Sequence, residues 1–124
     1  MTEENKLSQI ILSKAFAVHT ELGPGLLESV YEKCLHHELM DEGIFSIRQK
    51  EIPLTYKGVN IDNSFRSDII VENKVLVEIK AVDAIHDIFI AQTLTYLKFS
   101  KLRLGIILNF NVLHLKDGIR RVIL

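Results

Sequence analysis

Three ionisable residues stand in the middle of the chain where apolar residues would be expected. Asp68 is followed by the apolar residues 69–71. Glu78 and Lys80 stand among the apolar residues of the segment 75–80. A charge inside such a run costs several kcal/mol unless it is paired or bound to a metal ion. Two carboxylates and one ammonium leave a net negative pocket, so these residues predict a cation site.

The short link between the two runs fixes how they face each other. If residues 72–74 form a three-residue hairpin loop, Val71 pairs with Val75 and the register of the hairpin is set. Counting back along both strands places Asp68 directly opposite Glu78. Side chains opposite each other in an antiparallel pair project from one face, with Cβ atoms about 4.5–5.5 Å apart.

The chemistry of the predicted site follows from this register. Lys80 lies on the same face as Asp68 and Glu78, because strand side chains repeat every second residue. Facing carboxylates repel each other but suit a hard divalent ion such as Mg²⁺ or Mn²⁺, and the lysine would orient a water or stabilise developing negative charge. The alternative is a structural salt bridge in which Lys80 neutralises the two carboxylates.

The composition describes an ordinary globular protein. With 124 residues, 48% of them hydrophobic and 25% charged, we expect one domain over residues 1–124. The net charge of −1 argues against strong non-specific attraction to nucleic acid.

Cys34 fits an apolar helical pattern and is expected in the core. No signal-like N-terminus and no apolar run of roughly 20 residues is present, which predicts a cytoplasmic protein without membrane spans.

Apolar spacing predicts three helices. The first covers residues 5–22 and ends at Gly23-Pro24-Gly25, the second covers residues 26–42, and the third covers residues 84–99. Both of the first two helices show one apolar face. The third follows directly on the strand that carries Glu78 and Lys80.

The remaining segments read as strands. The pattern predicts strands over residues 45–56, 65–71, 75–81 and 104–108, the last of them buried on both faces. Pro53 suggests that the first strand is an edge or contains a bulge. Asp117-Gly118 predicts a weaker C-terminal hairpin between residues 112–115 and 119–123. The chain is therefore an α/β unit of order ααβββαβ with extra C-terminal strands.

The segment at the start of the second predicted helix matches the motif of a known family. Gly25-Leu26-Leu27-Glu28-Ser29-Val30-Tyr31 resembles the signature of the GxxExxY proteins, a branch of the PD-(D/E)xK nuclease superfamily. The resemblance covers nearly the whole chain. It implies a restriction-endonuclease-like core, in which helices flank a mixed central sheet.

The resemblance also assigns roles to individual residues. Asp68 looks like the superfamily's metal-binding aspartate, Glu78 like the acidic member of its ExK motif and Lys80 like its lysine. Ser67 stands where the superfamily name has proline.

Two helical positions extend the resemblance. Gln92 and Tyr96 match a Q-x-x-x-Y element on the helix after ExK, and Gln92 would orient groups from outside the metal's own ligands. Glu28 resembles a helical glutamate that supplements the metal site. From position alone, Gln92 is equally explained as a buried amide and Glu28 as a residue favoured in the first turn of a helix.

The sequence thus supports two hypotheses of different class. The first is a divalent-metal-dependent phosphodiesterase acting on DNA or RNA, with Mg²⁺ or Mn²⁺ held by Asp68, Glu78 and Glu28, and with a homodimer expected if the substrate is a duplex. The second is a catalytically inactive binding or assembly module with the same fold. Plausible phosphate contacts are Arg48, Lys50, Arg66, Lys98, Lys101, Arg103, Arg120 and Arg121.

Overall fold

Three helices form where the sequence shows apolar residues at helical spacing. The computed structural model describes residues 2–62 and 65–124. Helix α1 covers Glu3–Leu22, α2 covers Glu28–Asp41 and α3 covers Asp87–Ser100, so each predicted helix is confirmed with ends shifted by at most three residues. None of the helices in the described ranges is both long and apolar enough to cross a membrane.

Five strands form one mixed sheet. Its order is β1-β4-β5-β6-β7, with β5 and β6 parallel and every other neighbouring pair antiparallel. A separate hairpin pairs β2 with β3. The strands are β1 (Ser46–Glu51), β2 (Leu54–Tyr56), β3 (Val59–Ile61), β4 (Arg66–Val71), β5 (Val75–Lys80), β6 (Leu104–Asn109) and β7 (Ile119–Ile123).

The predicted first strand divides at Pro53. Strand β1 ends at Glu51, and β2 begins at Leu54 as one arm of the β2–β3 hairpin, so the prediction of a single strand over residues 45–56 was wrong. Proline lacks the N–H that a sheet ladder needs, which explains the break. β1 is indeed an edge strand, as Pro53 suggested.

The predicted C-terminal hairpin is also wrong. Residues 112–115 form no strand, and a 3₁₀ turn covers Leu115–Gly118 before β7 pairs along β6. The free edge of the buried strand β6 is the better partner, because it offers β7 a five-pair ladder from Leu104↔Ile123 to Leu108↔Ile119. Pairing with that edge leaves no strand partner for residues 112–115.

Gly118 sits where no side chain fits. A Cβ there would lie 2.1 Å from the carbonyl oxygen of Asn109. We therefore expect Gly118→Ala to lower the free energy of unfolding by about 2–3 kcal/mol through overpacking against backbone. Gly43→Ala is the control, because nothing lies within 4 Å of its added Cβ and only the positive φ of 79° is strained. Urea unfolding of both variants measures the difference, and equal losses would contradict this packing.

The sheet separates two apolar layers. α1 and α2 pack on one face, against side chains that include Ile69, Val77 and Ile79. α3 packs on the other face, against side chains that include Ile70 and Leu76. Cys34, which was expected in the core, is half-buried and packs against the first layer from its edge.

Candidate functional site

The β4–β5 hairpin has the predicted register. Val71 pairs with Val75, Ile70 with Leu76 and Ile69 with Val77 around a three-residue turn. The ladder ends at that pair, and beyond it Glu78 makes a side-chain hydrogen bond with Asp68. The hairpin therefore brings the two acidic side chains together.

Asp68, Glu78 and Lys80 project from the α3 face of the sheet. Ile70 lies two residues after Asp68 on β4, and Leu76 lies two residues before Glu78 on β5, so each shares a face with its acidic neighbour. Both apolar residues belong to the layer that packs against α3. Lys80 Nζ lies 4.7 Å from the ring centroid of Phe89 in α3. The aromatic ring thus holds the ammonium group by a cation–π contact on the same side as the carboxyl groups.

The two carboxyl groups form a coupled acidic pair. Glu78 is 4% exposed and makes a side-chain hydrogen bond with Asp68. Burial, and then the Asp68 carboxylate, raises the pKa of Glu78 to about 9. Asp68 Oδ2 also accepts a hydrogen bond of 2.7 Å from the Ile79 N–H. At neutral pH the raised pKa therefore favours the protonated form of Glu78.

A structural salt bridge does not account for this pair. Within residues 2–62 and 65–124, no ion pair joins Lys80 to Asp68 or Glu78. The lysine is close enough for its charge to lower the pKa of Glu78, but this effect is smaller than those of burial and Asp68. The carboxylates are not neutralised by Lys80, which disfavours the structural alternative.

Glu28 lies beside the acidic pair without joining it. The first turn of α2 lies next to the end of β5, and Glu28 Oε2 accepts a hydrogen bond of 3.0 Å from the Ala81 N–H. Glu28 and Asp68 both line a cleft of about 750 Å³. The exposed Glu28 carboxylate therefore braces the chain just after Lys80.

A second carboxylate of α2 was missed by the sequence analysis. Glu32 is 4% exposed, and its Oε2 accepts from Arg48 Nη2 at 2.8 Å and Nε at 3.0 Å. Burial raises the pKa of Glu32, Gln49 lowers it, and the Asp68 charge raises it again. Glu32 is four residues after Glu28, so its position on the same helix face was the available signal.

Gln49 connects Glu32 to the acidic pair. Its Nε2 donates to Glu32 Oε1 at 2.7 Å and lies 3.5 Å from Asp68 Oδ1. Its φ of 54° is unusual for a non-glycine residue inside a strand. Such strain persists where surrounding contacts fix the conformation, and here it directs the amide between the two carboxylates.

The strain at Gln49 gives a testable result. Gln49→Ala and Gln49→Gly both lose the amide, but only glycine relieves the positive φ. We expect the glycine variant to be more stable than the alanine variant by about 1 kcal/mol, the reverse of the usual order in a strand. Chemical denaturation of both proteins checks the order. A more stable alanine variant would show that Gln49 is unstrained.

Within the described residues, only the tyrosine of the Q-x-x-x-Y element interacts with the acidic pair. Gln92 is exposed, and no hydrogen bond joins it to Asp68, Glu78 or Lys80 in the described parts of the chain. The alternative of a buried amide is therefore wrong. Tyr96 is half-buried and stacks on Phe65 with ring centroids 4.4 Å apart. Burial raises the pKa of Tyr96, and the charges of Glu78 and Asp68 raise it further. The acidic pair therefore acts electrostatically on the Tyr96 hydroxyl.

Two buried side chains hold the backbone around the site. The Tyr31 hydroxyl donates to Gly23 O at 2.6 Å and accepts from Leu26 N at 3.1 Å, which fixes the loop before α2. Asn109 accepts from Val82 N through Oδ1 and donates to Val82 O through Nδ2, both at 3.1 Å. These hydrogen bonds thus fix the loop that precedes Glu28 and the chain that follows Lys80.

The acidic pair suits a divalent cation. Among the residues that the structure describes, Glu78 Oε1 is buried without a hydrogen-bond partner. Two adjacent carboxylates with an unsatisfied oxygen match the oxygen ligands that Mg²⁺ prefers. Over the same residues, no group of three or more His, Cys, Asp or Glu side chains is arranged to hold a metal ion. The predicted trio with Glu28 is therefore not assembled, and Asp68 and Glu78 remain as the fitting pair.

Comparison with known proteins identifies a family. A family model described as the PD-(D/E)XK nuclease superfamily matches residues 5–122, a range that includes the acidic pair, Lys80 and both helical motifs. Comparison with curated proteins and with solved structures gave no match. The mixed five-stranded sheet flanked by helices is consistent with the restriction-endonuclease-like core that the resemblance implied.

Proposed function

The chain belongs to the PD-(D/E)XK nuclease superfamily, and on that premise we propose that it is a divalent-metal-dependent phosphodiesterase that cleaves DNA or RNA. The single observation that supports this most strongly is the pair formed by the half-buried Asp68 and the buried Glu78, with Lys80 on the same face and no ion pair to either acid within the described ranges. A pair that serves only stability would be expected to form a salt bridge with the neighbouring lysine.

Each residue of the site has a proposed role. Asp68 and Glu78 hold one or more Mg²⁺ or Mn²⁺ ions, and a bound ion supplies Lewis-acid polarisation of the phosphate and a more acidic water. Lys80 positions the attacking water and stabilises the charge that develops on the phosphate oxygens. The exposed Gln92 contacts the substrate phosphate, and Glu28 fixes the backbone after Lys80.

The loop before α2 bears on the branch of the superfamily. The Gly25, Glu28 and Tyr31 pattern, with Tyr31 bonded to the preceding loop, supports membership of the GxxExxY branch. The net charge of −1 favours the second candidate, an inactive binding module of the same fold. A homodimer would enlarge the surface available to a duplex substrate.

A cleavage assay separates the two candidates. Purified protein is incubated with labelled single-stranded, branched and duplex oligonucleotides in Mn²⁺, in Mg²⁺ and in EDTA, beside Asp68→Asn. The phosphodiesterase proposal expects metal-dependent cleavage by the wild type that Asp68→Asn loses, because the amide is a poorer ligand for a hard cation. Equal cleavage by both proteins would indicate a contaminating nuclease and contradict the proposal.

A further inference from the structure

A second cleft lies on the same side of the sheet as the acidic pair. It has a volume of about 490 Å³ and runs between the segment after β1 and the C-terminal end of α3. Lys50, Lys98 and Lys101 line it, and Glu51 is its one carboxylate. We call it the lysine cleft, and its surplus of positive charge suits a polyanion.

The lysine cleft and the proposed active site lie on neighbouring parts of β4. Ile70 lines the cleft and follows Asp68 by two residues on β4, so the cleft begins roughly 7 Å from Asp68 along the strand. On the α3 side, Phe65 contacts one aromatic residue from each region. It stacks on Tyr96 beside the acidic pair and makes an edge contact with Phe99 of the cleft wall, with centroids 6.2 Å apart.

The other cleft beside Asp68 is less suited to phosphate. Its carboxylates are Asp68, Glu28 and Glu32, against the two cations Lys33 and Arg48. Arg48 is already paired with Glu32. The charges that line the two clefts therefore favour phosphate groups in the lysine cleft and disfavour them in the cleft beside α2.

We propose that the lysine cleft binds the phosphodiester backbone of one nucleic acid strand, close to the bond at Asp68. The inference rests on the proposed function for its reference point, the scissile bond. Lys50, Lys98 and Lys101 contact phosphates, and the apolar walls at Ile52 and Phe99 offer surface to the bases.

The first test measures binding without catalysis. A labelled single-stranded oligonucleotide of about twelve nucleotides is titrated by fluorescence anisotropy in EDTA at several salt concentrations. The triple variant Lys50→Gln, Lys98→Gln and Lys101→Gln should bind about tenfold more weakly at low salt. Its salt dependence should fall by about 2 in slope, since each lost contact with a single strand contributes about 0.7.

A matched triple variant controls for net charge. Lys6→Gln, Lys14→Gln and Lys116→Gln remove the same charge from α1 and from the 3₁₀ turn, which belong to the opposite side of the sheet. This variant should bind like the wild type. Equal weakening of both triple variants, or no binding by the wild type, would overturn the inference. Melting curves confirm that each variant is folded.

A small substrate separates this inference from the proposed function. Hydrolysis of bis(p-nitrophenyl) phosphate by the wild type in Mn²⁺ tests the proposed function alone, because this substrate has no second phosphate for the lysine cleft to bind. If the cleft variant alone loses oligonucleotide binding and the wild type hydrolyses nothing, the inference stands and the proposed function fails. If the wild type cleaves oligonucleotides and the cleft variant binds them equally well, the function stands and the inference fails.

Discussion

Lys80→Ala is expected to reduce metal-dependent cleavage by about 10³-fold, corresponding to roughly 4 kcal/mol of transition-state stabilisation. Among the described residues, Lys80 is the cation whose charge lowers the pKa of Glu78, and its ammonium group lies against Phe89 of α3. Its loss removes the group that positions water and balances developing charge. Both carboxylates remain, so the variant should still bind Mn²⁺. Single-turnover rates with saturating oligonucleotide measure the effect.

Lys74→Ala serves as the control for Lys80→Ala. Lys74 lies in the turn of the same hairpin, and its ion pair with the exposed Glu3 contributes little to stability. This variant should cleave at the wild-type rate. If Lys80→Ala retained most of the activity, or if it lost Mn²⁺ binding together with activity, the proposed role of Lys80 would be wrong.

Stability without metal is expected to fall as the pH rises. Burial, and then Asp68, raises the pKa of Glu78 from 4.5 to about 9 in the folded protein. Between these values the folded state keeps a proton that the unfolded state releases. The stabilisation is fully present below pH 4.5 and is lost progressively up to about pH 9. The loss over this window is on the order of a few kcal/mol.

Glu78→Gln tests the source of this pH dependence. The glutamine amide donates a hydrogen bond to Asp68 as the protonated glutamate does, but it does not titrate. In EDTA, urea unfolding from about pH 5.5 to about pH 8.5 should show a falling free energy for the wild type and a nearly level one for the variant. Glu72→Gln, at the turn of the hairpin, should follow the wild type. Parallel curves for wild type and Glu78→Gln would place the titrating group elsewhere.

The acidic hairpin was predictable because one local feature determines it. A three-residue turn at 72–74 fixes the pairing of Val71 with Val75, and strand periodicity then places Asp68, Glu78 and Lys80 without further information. The helices were predictable for a similar reason, since their apolar spacing is local. These parts of the fold depend little on distant segments.

Other parts depend on contacts that the sequence does not display. The Asp117-Gly118 turn signal is real, but the exposed edge of β6 competes for β7 and removes the hairpin. The left-handed conformation of Gln49 depends on the carboxylates of Glu32 and Asp68, which come from other elements. Local propensity cannot report such tertiary effects.

Calorimetric titration of Mn²⁺ into the metal-free protein tests the central claim most directly. The wild type should bind the ion and release about one proton per ion near pH 7.5, because Glu78 must ionise to become a ligand. The released proton is measured by repeating the titration in buffers of different ionisation enthalpy. Asp68→Ala and Glu78→Gln should bind Mn²⁺ far more weakly. No uptake by the wild type, or uptake that both variants retain, would contradict a metal site at the acidic pair.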